Sequence, residues 1–352
     1  MKVAPPPRWV WFRGLAGMAV GVVAGYACSR LHTPIPWMLG PLLSMAVLRM
    51  AGAPVDAPPG GRQFGQWIIG TALGLYFTPL VIRDVAGWWF LLLAGAAFAV
   101  AAGYVGGLVL SRLAGIDRTT AIFASVPGGA SEMSVVGERF GARVDRVAAA
   151  QSIRILIVVI VVPFGYAWLG VHGNDAYTPG ARDVVPGGLG LLLLATFAGG
   201  AVVQRLGVAN AFILGALAVA IPLTASGVSL SAMPAPLSNA AQCLLGCALG
   251  SRFQPEFIRG APRFIASVAA TVLGAIATTV VVAWLLAAAS GMSGYTLALG
   301  LAPGGIAEMC ITAKQLQLGV PLITAFHVTR VVVLLLLTAP LFAYVQRWRR
   351  RD

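Results

Sequence analysis

Residues 271–289 read "TVLGAIATTVVVAWLLAAA", nineteen positions without a charged group. As a helix this run is about 28 Å long, close to the ~30 Å hydrocarbon core of a bilayer. The runs "WWFLLLAGAAFAVAAGYVGGLVL" (88–110), "RILIVVIVVPFGYAWLG" (154–170) and "VVVLLLLTAPLFAYV" (331–345) are of the same kind. Charged residues make up 10% of the chain, against roughly a quarter in soluble domains. Lipid offers no partner for backbone N–H and C=O groups, so runs of this length cross it as helices. The fold class expected is an all-α polytopic membrane protein.

Two stretches interrupt this pattern with residues that a long apolar helix excludes. They are "SVPGGASEM" (125–133) and "LAPGGIAEM" (301–309), 176 positions apart. The same offset aligns "GQWIIGTALG" (65–74) with "AQCLLGCALG" (241–250), "FTPLVIR" (77–83) with "FQPEFIR" (253–259), and Arg154 with Arg330. At 175, "WMLG" (37–40) aligns with "FILG" (212–215). A register held over about 120 residues marks an internal duplication. The two membrane repeats are 1–176 and 177–352. Each holds six apolar elements: 9–28, 35–51, 63–82, 85–111, 119–138 and 147–169, then 185–204, 209–225, 238–254, 262–289, 295–312 and 321–345.

The net charge of +13 is spread between apolar runs, which points to orientation in a membrane rather than to nucleic acid. If all twelve elements cross, basic residues divide almost evenly between the two sides. If each PGG element instead enters and leaves on one side, only Arg30, Arg83, Arg182 and Lys314 fall outside. Arg154 and Arg330 stay in spans, and the other 18 of the 24 Lys and Arg lie inside. The positive-inside rule favours this second arrangement. Five crossings per half is an odd number, so the second half enters from the opposite face. The expectation is two inverted repeats of about five spans, each with one broken or re-entrant PGG element. The loop before the first PGG, "SRLAGIDRT" (111–119), is basic, and its counterpart "AASGMSGYT" (288–296) is uncharged, as opposite sides require. The N-terminus "MKVAPPPRWVWFRG" shows no clear cleavage site, so the first span is expected to be retained. The tail "RWRRRD" (347–352) reads as a positive-inside anchor.

Irregular backbone survives at membrane depth where it lines a polar cavity or is buried in protein, and paired broken helices are a recurring plan of secondary transporters. Pro127, Gly128 and Gly129, with Pro303, Gly304 and Gly305, are therefore candidate binding residues for a substrate or ion. Glu132 and Glu308 lie just past the breaks. An acid at that depth is a functional candidate, as carrier of a coupling proton, and equally a cap or an arginine partner. Arg154 and Arg330 lie seven and ten residues into the following spans, ~10–15 Å deep. They suit an acid or an anionic substrate, or a structural ion pair. Gln66 and Gln242 hold equivalent places in glycine-rich helices, as interhelical bonds or site lining. Gly70, Gly74, Gly246 and Gly250 have small-xxx-small spacing, which suits close helix packing. His327 replaces Gln151 in the second repeat and reads as a hydrogen-bonded structural residue. Cys28, Cys243, Cys247 and Cys310 form no CxxC pair, and His32, His172 and His327 have no ligand spacing. No metal, cofactor or catalytic residue is expected.

The stretches "PWMLGPLL", "SVPGGASEM" with "RVAAAQSIRILIVV", and "NAFILGAL", "LAPGGIAEM" with "HVTRVVVLLL" resemble the AbrB-type membrane proteins over nearly the whole chain. That resemblance implies a duplicated membrane domain in the bacterial inner membrane, unrelated in fold to the small soluble DNA-binding regulators that share the name. Members carry the labels regulator of gene expression, ammonia monooxygenase and transporter. A copper monooxygenase needs histidine-rich ligand sets, and a transcription factor needs a soluble DNA-reading module; this sequence offers neither. The function expected is a secondary transporter or exporter of a small, anionic metabolite, coupled to protons or sodium, and not an enzyme. The competing expectation is a membrane sensor that affects gene expression indirectly. The expected partners are a small-molecule substrate and the lipid bilayer, with no nucleic acid; a homodimer is left open. Both termini are expected in the cytoplasm.

Overall fold

The computed structural model describes residues 7–174, 177–253 and 262–349, with the side chains of 130–132 and 337–349 outside the description. "FQPEFIR" beyond Phe253, the side chain of Glu132 and the end of the basic tail therefore lie outside the described residues. The described chain is all helix and loop. In order, the helices are α1 (Arg8–Arg30), α2 (Pro36–Met50), α3 (Gly61–Gly74), α4 (Pro79–Gly87), α5 (Trp89–Ala114), α6 (Arg118–Ser125), α7 (Ala130–Arg139), α8 (Val144–Trp168), α9 (Pro186–Arg205), α10 (Ala211–Ala225), α11 (Ala235–Gly250), α12 (Pro262–Ser290), α13 (Gly294–Leu301), α14 (Ile306–Leu316) and α15 (Val320–Arg349).

Five of these, α1, α5, α8, α9 and α12, are long and apolar enough to cross a bilayer, and six if the bent α3–α4 pair is one span. The chain is a multi-pass membrane protein. Residues 63–82, expected as one element, turn by 92° between α3 and α4. Pro79 opens α4, where its missing N–H costs nothing, and it disfavours helix at Thr78. The helices α2, α3, α10 and α11 have 14 to 16 residues. At 1.5 Å per residue they reach only about 21–24 Å.

The duplication is visible in the element bounds. Helices α6 and α13 begin and end 176 residues apart, and α7 and α14, like α8 and α15, begin 176 apart. Helices α2 and α10 both follow a residue in the left-handed region, Ile35 (φ 43) and Asn210 (φ 50), 175 apart. Yet the compact units are not the sequence halves. The chain divides into two compact units, Met1–Arg83 with Pro163–Gly260 and Lys314–Pro321, and Asp84–Val162 with Ala261–Ala313 and Leu322–Asp352. Each unit takes equivalent pieces of both halves.

In the first unit, α2 packs on α1 and α11, and α10 packs on α9 and α3, while α3 and α11 meet each other. The crossings are glycine-lined. A Cβ on Gly70 would meet the backbone of Ile213, and one on Gly246 the backbone of Met38. Small-residue spacing thus gives the close packing expected of it. Gln66 donates to Asn210 Oδ1 at 2.8 Å, as does Arg62 at 3.1 Å. In the second unit, α5 packs on α6, α12 and α13, and α12 on α13. A core of Leu91, Leu92, Leu297, Leu301, Leu322 and Phe326 fills one part, and one of Phe123, Val126, Met133, Val147 and Leu334 another.

Candidate functional site

The breaks follow from proline. Pro127 has no N–H and pushes the residue before it out of the α region. Val126 accordingly adopts φ −60, ψ 128 and ends α6. Ala302, before Pro303, adopts φ −54, ψ 142 and ends α13. Gly129 is extended and precedes α7. The half-helices have 8, 10, 8 and 11 residues, about 12–17 Å each, so none spans a bilayer alone. The first glycine of each motif makes room for a methionine: Met133 folds back over Gly128, and Met309 over Gly304. A Cβ on Gly305 would overlap Oε2 of Glu308, so that carboxylate lies against the backbone where α14 begins. Carboxylates are favoured at such a helix start.

Each helix end at a break leaves carbonyls that have lost their N–H partners. The following long helix supplies donors. On α8, Gln151 Nε2 donates to Phe123 O (2.9 Å), Ala124 O (3.3 Å) and Val126 O (2.9 Å). One turn on, Arg154 Nη1 donates to Val126 O and Nη2 to Gly128 O, both at 3.1 Å. On α15, His327 Nε2 sits 3.1 Å from Leu299 O and Arg330 Nη1 donates to Ala302 O at 2.7 Å, while Nη2 donates to Gly304 O. The two sets match at an offset of 176. A charged donor also compensates the negative end of the half-helix dipole.

Both arginines are eleventh in their helices, about 15 Å from the start. They are 5% and 4% exposed, so neither reaches back to an interface. Each guanidinium spends its Nη groups on carbonyls, while Nε of both has no hydrogen-bond partner among the described residues. The far atoms of the other two side chains, Gln151 Oε1 and His327 Nδ1, are also unpartnered and buried. The Glu308 carboxylate attracts both guanidinium groups, and those two repel one another.

The two breaks share one cavity, all of it within the second unit. Pro127 and Arg154 of one repeat line it with Pro303 and Arg330 of the other, and small residues of α5 and α12 form its walls. Its empty space, the open mouth included, is about 590 Å³. Guanidinium groups and the positive N-terminal ends of α7 and α14 meet the Glu308 carboxylate and the negative C-terminal ends of α6 and α13 at the breaks, so charges of both signs stand beside the cavity. Gly128, Gly129, Gly304, Gly305 and Glu308 thus build the breaks. Glu132 belongs to α7, with its side chain outside the described set. Gln66 and Gln242 belong to the first unit and do not line the cavity. Ser125, Thr271 and Thr279 do line it and were not singled out from sequence. Among the described residues, no three His, Cys, Asp or Glu form a metal-ligand group.

The family model described as "Transition state regulatory protein AbrB" matches residues 37–346. The chain belongs to the AbrB family. The matched segment contains both breaks and both arginines. Two relatives match over most of their length. The chain is 26% identical over 364 residues to "Uncharacterized protein YhjN" of Bacillus subtilis, covering 95% of this chain and 92% of that protein. It is 24% identical over 322 residues to "Putative regulator AbrB" of Escherichia coli, covering 89% and 90%.

Proposed function

We propose that the chain is a secondary transporter or exporter of a small anionic metabolite, coupled to protons or sodium, with inverted repeats and cytoplasmic termini in a bacterial inner membrane. The observation that carries this reading is the meeting of two broken helices at one cavity flanked by two buried guanidinium groups. Broken helices are costly in lipid, and a site with two equivalent halves suits alternating exposure to the two sides. Glu308, which acts electrostatically on both arginines, is the coupling residue in this reading, with Glu132 as its counterpart. No catalytic step is assigned to the chain, and its partners are the substrate, the bilayer and, at most, a second copy.

The test is flux in proteoliposomes under a proton or sodium gradient, with a panel of small mono- and dianions. Saturable movement of one of them is expected, reduced at least tenfold by Glu308→Gln or Glu132→Gln. Unchanged flux in both variants removes the acids from the mechanism. A second reading, a membrane sensor acting indirectly on gene expression, is favoured by the regulatory names of the family and of the E. coli relative. Saturable binding without flux across the panel would establish it.

A further inference from the structure

The carbonyls at the breaks are satisfied, but donors beside the cavity are not. Arg154 Nε and Arg330 Nε have no partner among the described residues, and neither has Ser125 Oγ. All three residues line the same cavity, their donor atoms buried behind its surface. A buried donor without a partner is costly, and hydrogen bonds to a charged acceptor are the stronger kind. Three donors, two of them cationic, suit one carboxylate, whose two oxygens offer about four acceptor sites. Apart from Thr271 and Thr279, the rest of the lining is apolar. Phe98, Ala99, Leu110, Val268 and Val272 contribute no polar side-chain atom. Of the two threonines on the α12 wall, Thr271 already donates to Ser267 O at 2.8 Å. A second carboxylate on the ligand would meet only the Thr271 and Thr279 hydroxyls amid hydrocarbon, at a large desolvation cost.

We propose that the cavity binds a monocarboxylate with a short aliphatic body, its carboxylate held by Ser125, Arg154 and Arg330 and its body by the walls from α5 and α12. This deepens the transport reading and rests on the same cavity. Ser125 becomes a specificity residue. Its counterpart 176 positions on is Leu301, which also lines the cavity, so the polar contact comes from one repeat only.

The probe is isobutyrate, titrated calorimetrically into the purified full-length protein in nanodiscs, beside isobutyramide and succinate. Isobutyrate is expected to bind saturably, at least tenfold tighter than either control. Ser125→Ala is expected to weaken isobutyrate about tenfold, the loss of one hydrogen bond to a charged group. Its thermal midpoint should not fall, because the hydroxyl has no partner in the protein. Equal binding of the amide, tighter binding of succinate, no isobutyrate binding, or an unaltered Ser125→Ala affinity each overturns the proposal. Flux of another anion without isobutyrate binding sinks this inference and leaves transport standing. Isobutyrate binding without flux of any anion does the reverse.

Discussion

Gln151 and His327 show why a polar residue is kept at a fully buried site. Each places a donor on carbonyls that Pro127 or Pro303 has orphaned. Gln151 serves three carbonyls from one nitrogen, His327 at least one. Gln151→Leu is therefore expected to destabilise the protein by about 1–3 kcal/mol, the cost of a buried acceptor left unpaired. His327→Gln, which copies the chemistry of the other repeat, should stay within about 1 kcal/mol of the native protein. Unfolding of the purified variants in detergent measures both. A Gln151→Leu protein as stable as the native one would show that the break does not depend on that donor. These partners were not legible in the sequence. The spacing of "QSIR" and "HVTR" puts Gln151 with Arg154, and His327 with Arg330, on one helix face. The helix end that each face meets is a matter of packing. Ser125 was missed for a related reason. Symmetry between repeats singled out residues, and Ser125 faces Leu301 across that symmetry, as Thr271 and Thr279 face Gly95 and Gly103.

At the scale of elements, the proline–glycine punctuation was readable. Proline ends α6 and α13 where the residue before it leaves the α region, and the half-helix bounds repeat at the offset of the motif. The bend after α3 was not read, because "FTPLVIR" keeps an apolar character through the turn and only Pro79 marks it. Glycine spacing was readable as packing, though not which helix would fill each gap. At the α9–α10 crossing a Cβ on Gly215 would lie 2.5 Å from Gly199 O and 2.6 Å from Gly200 Cα, so backbone must move to admit it. Gly215→Val is expected to cost about 1–3 kcal/mol or more through overpacking. Gly187→Val, where nothing lies within 4 Å of an added Cβ, should cost far less. The two variants bracket the effect in one thermal unfolding series. Equal midpoints would mean that the crossing tolerates separation.

At the scale of the whole molecule the open matter is the direction of the second repeat. Two loops decide it. In the inverted arrangement the loop after α7 is cytoplasmic and the loop before α13 is external, and the reverse holds if all twelve elements cross. In the first loop Ala142 packs against the core around Phe123 and Val147, and its neighbour points outward. Arg143 has a side chain 60% exposed, paired with Asp145 at the surface where such a bond contributes little. Ser293, exposed at the start of α13, makes no capping bond with its side chain. Single cysteines at these two positions, in a background without the four native ones, are expected to label with an impermeant reagent only at 293 in intact cells. The cysteine at 143 should react only once the membrane is permeabilised. Labelling at 143 alone would make the repeats parallel. The two breaks would then approach the cavity from the same direction, the equivalence of its two halves under exchange of sides would be lost, and alternating access by that symmetry would go with it.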